Sequence, residues 1–397
     1  MSEREFSPPE ALSKIEKIIH SLNFSARTKF ADNSRFVATA ELFDKDNNLI
    51  DSGAGKGPDS LVGALAESIE HFSTFCFNAD NISIQRCEFI ASQKAAEHDG
   101  FLASIPCAEE SIESFKLITA DKTKELFVPC ILLRPTMNRK SWSDASASVQ
   151  FLNRYASNSG IAFGCTKSEA LLHGTNEVIE RHILSRFFMA ICSIGPALKL
   201  YAPSRGLLAK SLQYDADAIA LADKLQVIVI KNVMNVFFSV AIPKSGPGDM
   251  HLSAIGSGCS LDICIAIQRA VTEQFQVNVL YDDRQDELDR NTLDFLASSN
   301  KLKSLIDFSP VKNINLPLIE PTPSIFEKSV SLQLEALEKY ISRTGGAIYH
   351  RVVADYSSNG IVCQSYIPGL ERFNLIRNGC LVAPQQVLLQ APKYANP

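Results

Sequence analysis

The spacing of apolar residues predicts most of the helices and strands. Five apolar residues recur at helical intervals in residues 9–22, namely Leu12, Ile15, Ile18, Ile19 and Leu22. Residues 35–43 are rich in strand-forming side chains, residues 44–48 predict a turn, and residue 49 begins a return strand. Further strands are predicted at residues 126–133, 225–230, 236–242, 347–353 and 361–366. Helical periodicity covers residues 207–224 and 323–341.

These elements follow one another without a regular β–α–β rhythm. That order favours an α+β fold with mixed sheets over a doubly wound parallel sheet. The chain of 397 residues is long enough for two or three ordinary domains or for one large interwoven domain. No uncharged apolar stretch approaches the length of a membrane span, so no transmembrane helix is predicted.

Composition narrows the class of protein. Hydrophobic residues make up 46% of the chain, which is ordinary for a globular protein and excludes disordered classes. A net charge of −5 argues against a nucleic-acid-binding protein, which usually carries a basic surplus. The polar N-terminus predicts no secretory signal, and the ten cysteines lack C-x-x-C and zinc-ligand spacing. We interpret them as reduced, buried thiols of a cytoplasmic protein.

Three segments share one plan. Each has a glycine- and serine-rich turn, then an apolar helix with an acidic residue and a polar partner three residues later. The predicted turns lie at residues 53–57, 158–164 and 256–258, and the pairs are Glu67/Glu70, Glu177/Glu180 and Glu273/Gln276. Such turns either hold phosphate at a helix N-terminus or are ordinary turns. Neither a P-loop nor a dinucleotide-binding glycine motif is present.

The charges of the first two helices point to an ion site. In residues 61–75 the only full charges are Glu67 and Glu70, and no Lys or Arg lies within helical reach. Because this helix is apolar enough to be buried, the two carboxylates need an external cation, and Mg²⁺ suits oxygen ligands. In the second helix, Thr166 and Glu169 form a capping-box pattern. There, Glu177 and Arg181 are either a surface ion pair or part of the same site.

Taken in order, four segments resemble the YcaO family along nearly the whole chain. They are residues 55–57 with Glu67 and Glu70, residues 169–170 with 177–181, residues 269–273 with Gln276, and residues 368–371. The resemblance implies an ATP-dependent enzyme that activates a peptide-bond carbonyl oxygen, with ATP and Mg²⁺ enclosed between sheets and helices. It also implies one domain over residues 1–397. Its half at 1–150 holds the first glutamate helix, and its half at 151–397 holds the other two and the 368–371 segment.

The same resemblance assigns the site residues. Those implied to bind Mg²⁺ are Glu67, Glu70, Glu169, Glu177 and Glu180. Those implied at the nucleotide are Arg181 on the phosphates, Gln276 and Glu273 closing the site, and Lys14 near the nucleoside. Lys56 either neutralises phosphate or is a solvated loop lysine. The chain departs from the family pattern at Gly63 (usually Ser), His71 (usually Arg) and Cys165 (often Asn). His71 is the largest departure, because histidine lacks the permanent bidentate charge of arginine.

The implied reaction is ATP- and Mg²⁺-dependent azoline formation on a ribosomally made peptide. Thioamide formation, amidine formation and a role in ribosomal protein methylthiolation are alternatives within the family. A non-catalytic peptide- or partner-binding module is the alternative of another class, and the histidine spacing disfavours a generic metal hydrolase. The expected partners are the substrate peptide and a separate leader-binding or sulfur-delivery protein. A homodimer, in which the partner is a second copy of the chain, is a further option. Residues 391–397 faintly resemble the proline-rich terminus of azoline-forming members.

Overall fold

The computed structural model describes residues 3–76, 82–135, 145–312, 314–321 and 329–390. The tail at 391–397 therefore lies outside the described residues. The helices are α1 (Pro8–Ser21), α2 (Ser60–Cys76), α3 (Cys87–Ser92), α4 (Gly100–Ala103), α5 (Cys130–Leu133), α6 (Ala147–Asn153), α7 (Lys167–Ile191), α8 (Arg205–Ser211), α9 (Ala216–Ala222), α10 (Ile263–Val279), α11 (Asp283–Ala297), α12 (Ser304–Asp307), α13 (Val330–Arg343) and α14 (Gln385–Gln390). The strands are β1 (Ser25–Phe30), β2 (Val37–Phe43), β3 (Leu49–Lys56), β4 (Ile82–Arg86), β5 (Ser111–Ile118), β6 (Glu125–Pro129), β7 (Ile161–Gly164), β8 (Ala202–Pro203), β9 (Leu225–Val233), β10 (Val236–Pro243), β11 (Gly256–Ser260), β12 (Leu318–Ile319), β13 (Tyr349–Asp355) and β14 (Ile361–Tyr366).

The strands form separate antiparallel sheets with helices packed against them. One sheet has the order β1-β2-β3, a second has β11-β10-β9, and the largest has β4-β5-β13-β14-β7 with β6 paired to β5. The short β8–β12 pair is parallel. This arrangement confirms the predicted α+β class. In the part of the chain that the structure describes, no helix has both the length and the apolar character needed to cross a membrane.

Most predicted elements are confirmed, and two are wrong in part. Residues 126–133 are not one strand, because β6 ends at Pro129 and the chain turns directly into α5. Residues 207–224 are not one helix, because Gln213 and Tyr214 adopt left-handed backbone angles that end α8 before Asp215 caps α9. Of the predicted helix at 323–341, residues 323–328 lie outside the described residues, and α13 covers the part from Val330 onwards.

The glycine-rich segments were predicted as turns, and that prediction is wrong for most of their length. They form β3, β7 and β11, each followed by its motif helix. Glycine is needed there because the helix backbone lies directly against the strand. A Cβ on Gly55 would lie 1.7 Å from the Ser60 carbonyl oxygen, and one on Gly256 would lie 2.1 Å from that of Ala270. The strands therefore hold α2, α7 and α10 unusually close to their backbone amides.

Three apolar clusters fix the positions of these helices. Phe187 and Phe188 of α7 pack with Phe308 in the largest cluster. A second cluster joins α1 and α2 to β2, and a third joins α10 to β9 and β10. Because α7 is buried along most of its 25 residues, its polar side chains face protein rather than bulk water. The core thus brings polar faces of three helices together.

Candidate functional site

The first pair of carboxylates lies where α2 rests on β3. The Ala54 amide donates to Glu67 Oε2 over 3.1 Å, so this carboxylate is held by the strand of its own unit. The Phe163 amide of β7 donates to Glu70 Oε1 over 2.8 Å. Glu70 therefore ties the first strand–helix unit to the second.

The second pair continues the same arrangement along α7. Thr166 caps this helix by accepting a hydrogen bond from the Glu169 amide over 3.3 Å. The Gly160 amide donates to Glu177 Oε2 over 3.1 Å, and Ser257 Oγ of β11 donates to Glu180 Oε1 over 2.7 Å. The second unit is thereby tied to the third, as the first is tied to the second.

Two basic side chains stand among these carboxylates. Lys56 forms an ion pair with Glu273 of α10, so it is not a solvated loop lysine. Arg181 Nε lies 3.9 Å from Glu177 Oε1, and Arg181 Nη1 lies 3.9 Å from Glu180 Oε1. Since both distances are at the limit of an ion pair, the guanidinium keeps donors available for a further anion.

Burial and mutual repulsion shift the pKa values of the carboxylates. The pKa of Glu70 is raised to about 8, mainly by burial and in part by the nearby Glu67 and Glu177 carboxylates. Burial also raises the pKa of Glu67 and that of Glu177. Burial alone would raise the pKa of Glu273, but Lys56 and Arg181 outweigh it and the pKa is lowered. The site therefore lacks positive charge mainly on its α2 side.

His71 supplies part of that charge. Its Nδ1 lies 2.9 Å from the Ser52 carbonyl oxygen and 3.6 Å from Asp51 Oδ1, while Nε2 lies 3.6 Å from Glu67 Oε1. The neighbouring Asp51 carboxylate is the main reason that the pKa of His71 is raised to about 9, against the opposing effect of burial. Although histidine replaces the arginine that is usual in the family at this position, the protonated His71 still places a cation beside Glu67.

The donor set fits Mg²⁺ in kind. Glu67, Glu70, Glu177 and Glu180 offer oxygen ligands, which Mg²⁺ prefers, and Mg²⁺ commonly keeps several waters between itself and protein. Within the described residues, no three His, Cys, Asp or Glu side chains form a ready-made metal cluster. The hydrogen bonds to Ala54, Phe163 and Gly160 instead hold the carboxylates apart, as their repulsion requires.

Three predicted residues lie apart from this group. Glu169 lies in the first turn of α7, two turns before Glu177, or about 12 Å along the helix axis. It accepts a hydrogen bond from the Cys165 amide over 2.8 Å and lies 3.5 Å from Arg4 Nη1. Lys14 bonds to the Ser358 carbonyl oxygen from an exposed position on α1. Gln276 is half-buried on α10, three residues beyond Glu273.

A polar pocket that the sequence motifs do not indicate lies beside the carboxylates. It consists of Asn176 of α7, Ser260 of β11 and Arg269 of α10, and we call it the Arg269 pocket. All three contact the carboxylate of Glu3. Asn176 and Arg269 lie four residues before Glu180 and Glu273, a helical spacing that could have placed them on the same faces. Glu3 has no comparable spacing to a motif residue that would have indicated its place in this pocket.

A cavity opens next to the carboxylates. Its volume is about 340 Å³, and Glu177, Arg181 and Glu273 form one wall. Leu184, Phe188 and other apolar residues also line the cavity, and these two follow Arg181 at helical spacing along α7. A smaller adjoining cavity is bordered by Arg181 and by Glu371 of the 368–371 segment. An acceptor with a polar backbone and an apolar side chain would fit this combination of walls.

A family model gives the identity of the fold. The model of the YcaO cyclodehydratase family, described as ATP- and Mg²⁺-binding, matches residues 53–371. The chain belongs to the YcaO family. This membership confirms the resemblance seen in the sequence, and the family's description as ATP- and Mg²⁺-binding matches the predicted cofactors. No curated protein matches the chain.

Solved structures share the YcaO fold at low sequence identity. A heterocyclase in complex with substrate and cofactor superposes with a TM-score of 0.64 at 18% identity, covering 93% of this chain and 53% of that one. The chain thus spans about half the length of that heterocyclase. YcaO from Methanopyrus kandleri, bound with AMPPCP and Mg²⁺, gives 0.60 at 15% identity and covers 93% and 92%. The E. coli microcin synthetase McbBCD complex gives 0.53 at 14%, covering 86% of each chain.

Proposed function

We propose that this enzyme phosphorylates a peptide-bond carbonyl oxygen and so forms azolines on a ribosomally made peptide. The observation that carries the proposal is the convergence of Glu67, Glu70, Glu177 and Glu180 with two basic side chains beside an open cavity. Phosphate leaves far more readily than hydroxide. Once the oxygen is phosphorylated, a Cys, Ser or Thr side chain of the peptide can add to the same carbon and displace it.

The four converging glutamates are the proposed Mg²⁺ ligands. Mg²⁺, when bound, supplies a Lewis acid that neutralises phosphate oxygens. The high pKa of Glu70 supports this assignment, because a carboxylate that lacks a protein cation gains most from a divalent ion. Glu169 remains a prediction for the Mg²⁺ site. In this structure its carboxylate is paired with Arg4. Lys14 remains a prediction for the nucleoside end.

Arg181 and Lys56 are the proposed phosphate partners. Arg181 faces both the carboxylates and the cavity, so its guanidinium can orient a phosphoryl group towards an acceptor there. Lys56 is paired with Glu273, and both Lys56 and Arg181 act on the carboxylate of Glu273. Gln276 is the proposed end of the nucleotide site, with Glu273 one turn before it.

The peptide is the proposed occupant of the cavity, and a second protein is its proposed source. Relatives of the same fold are solved with a substrate or as a multi-protein complex, as the heterocyclase and McbBCD show. The departures from the family pattern at Gly63 and His71 favour the alternative of a non-catalytic binding module. The cation that His71 retains beside Glu67 weakens it.

Mass spectrometry of a candidate peptide tests the proposal. With ATP, Mg²⁺ and any partner present, we expect the peptide to lose about 18 Da per azoline formed, which is one water. The double variant Glu177→Gln/Glu180→Gln should abolish both this loss and ATP hydrolysis, because the proposed metal ligands are gone.

Other outcomes separate the alternatives. Replacement of oxygen by sulfur would indicate a thioamide and would overturn azoline formation. ATP consumption by the double variant equal to that of the native protein would overturn the metal assignment. Tight peptide binding without turnover would favour the binding module.

A further inference from the structure

The N-terminal segment places a buried carboxylate among polar side chains of two motif helices. Glu3 is only 4% exposed. Ser260 Oγ donates to Glu3 Oε1 over 2.6 Å, and Asn176 Nδ2 donates to the same oxygen over 3.2 Å. Arg269 Nη2 lies 2.6 Å from Glu3 Oε2. An acidic side chain therefore fills the Arg269 pocket completely enough to be shielded from water.

The pocket lies along the same groove as the proposed metal ligands. Asn176 is one helical turn before Glu180 on α7, and Arg269 is one turn before Glu273 on α10. Arg4, next to Glu3, contacts Glu169 over 3.5 Å. Residues 3 and 4 thus engage both a candidate metal ligand and a basic group that faces the space between the helices.

Glu3 satisfies this pocket only in part. Asn176 Oδ1 and the nearby His173 Nε2 are buried and have no hydrogen-bond partner in the described part of the chain. A buried polar atom without a partner destabilises the folded protein, because it has lost its hydrogen bonds to water. The pocket therefore suits a ligand that offers acceptors for Arg269 and Ser260 and also donors or acceptors for these two atoms. A nucleotide, with its phosphates and hydroxyls, has that combination.

Two anions cannot share the Arg269 guanidinium at low cost. Its Nη1 already donates to the Cys259 carbonyl oxygen over 3.1 Å, and Nη2 is taken by Glu3. The groove also holds Glu177, Glu180 and Glu273, so the charge of Glu3 adds to the repulsion that a triphosphate meets.

We propose that Glu3 is an intramolecular competitor of the nucleotide, with its carboxylate held in the Arg269 pocket until nucleotide binding displaces it. The inference rests on the nucleotide lying between α7 and α10, as proposed above. Displacement of residues 3 and 4 also frees Glu169 from Arg4. Binding of nucleotide and recruitment of Glu169 are thereby coupled through the N-terminal segment.

Equilibrium binding of Mg²⁺·AMPPCP, a non-hydrolysable nucleotide, tests the competition. The variant Glu3→Gln keeps the shape of the side chain but removes its charge, and we expect its Kd to fall about fivefold because more molecules have a free pocket. Glu5→Gln is the matched control, since Glu5 lies exposed in the same segment. Its Kd should equal that of the native protein. Unchanged or weaker binding by Glu3→Gln would overturn the proposal.

Hydrogen exchange on the unmodified protein gives a second readout that needs no variant. Addition of Mg²⁺·AMPPCP should speed exchange at the amides of residues 4–7, because the segment leaves its pocket. Slower exchange would mean that the segment closes over the nucleotide, and the proposal would be wrong. Failure of the native protein and of both variants to bind Mg²⁺·AMPPCP would overturn the nucleotide site itself. Binding without tightening in Glu3→Gln would overturn only the role of Glu3.

Discussion

Glu70 and Glu273 are both partly buried glutamates on motif helices, yet their surroundings shift their pKa values in opposite directions. Burial and the neighbouring Glu67 and Glu177 raise the pKa of Glu70 to about 8. Burial also acts to raise the pKa of Glu273, but Lys56 and Arg181 outweigh it and the pKa is lowered. The difference shows that burial alone does not decide the charge of a carboxylate. The α10 side of the groove is balanced by protein cations, whereas the α2 side is balanced only in part by His71.

This contrast assigns different tasks to the two sides. A divalent ion relieves most repulsion where carboxylates outnumber basic groups, which is the α2 side. Phosphate needs basic groups, and Lys56 and Arg181 stand on the other side. A groove with both features can hold a metal and a triphosphate next to each other.

The largest expected effect comes from Glu70→Gln. We expect turnover of ATP to fall about 100-fold, because a proposed metal ligand is lost. Stability without nucleotide should rise by about 1–3 kcal/mol at pH 8, since the glutamine cannot carry the buried charge. The sign follows from the raised pKa: as pH rises from 4.5 towards about 8, native Glu70 progressively loses stability that glutamine keeps. ATPase assays and urea unfolding at pH 5 and pH 8 measure both effects.

Glu41→Gln is the matched control, because Glu41 is exposed on β2. It should change neither turnover nor stability. If Glu70→Gln destabilised the protein at pH 8, the contrast between the two sides would be lost.

A smaller effect is expected at Lys56, on the balanced side. Lys56→Met leaves Glu273 buried with one cation fewer, so we expect a Kd for Mg²⁺·AMPPCP about tenfold higher and a loss of about 1–2 kcal/mol in stability. Lys56→Arg should restore most of both, since it keeps the charge. Lys45→Met, in an exposed turn, is the control. Calorimetry gives the Kd, and equal affinity of Lys56→Met and the native protein would remove Lys56 from the phosphate site.

The elements of the fold were largely predictable because their apolar spacing is local. The α1 helix, the β2–β3 pair and strands β9, β10, β13 and β14 follow from that spacing and from turn residues. The glycine segments were misjudged because glycine is typical of turns. Only the packing of a helix backbone on Gly55 and Gly256 shows why a strand needs glycine there. That packing depends on two elements at once, which a local pattern does not encode.

The candidate site was predictable where an imbalance of charge lay within one helix. Glu67 and Glu70 stood out because no basic residue lies within helical reach. The pairing of Lys56 with Glu273 joins residues far apart in the sequence, as does the contact of Glu3 with Arg269. Such pairs come from tertiary packing, so the sequence named several members without showing which partners they meet.

The smallest expected effect tests whether His71 stands in for arginine on the α2 side. His71 holds a charge between Asp51 and Glu67, but it is about one-third exposed, so water screens its contribution. We expect His71→Arg to bind Mg²⁺·AMPPCP within about twofold of the native protein, because both residues are cationic there. His71→Ala should weaken binding about threefold, since Glu67 then loses its strongest cationic neighbour and keeps only Lys56. If His71→Ala bound as tightly as His71→Arg, the cation at this position would be dispensable, and the charge shortage on the α2 side would have to be met by Mg²⁺ alone.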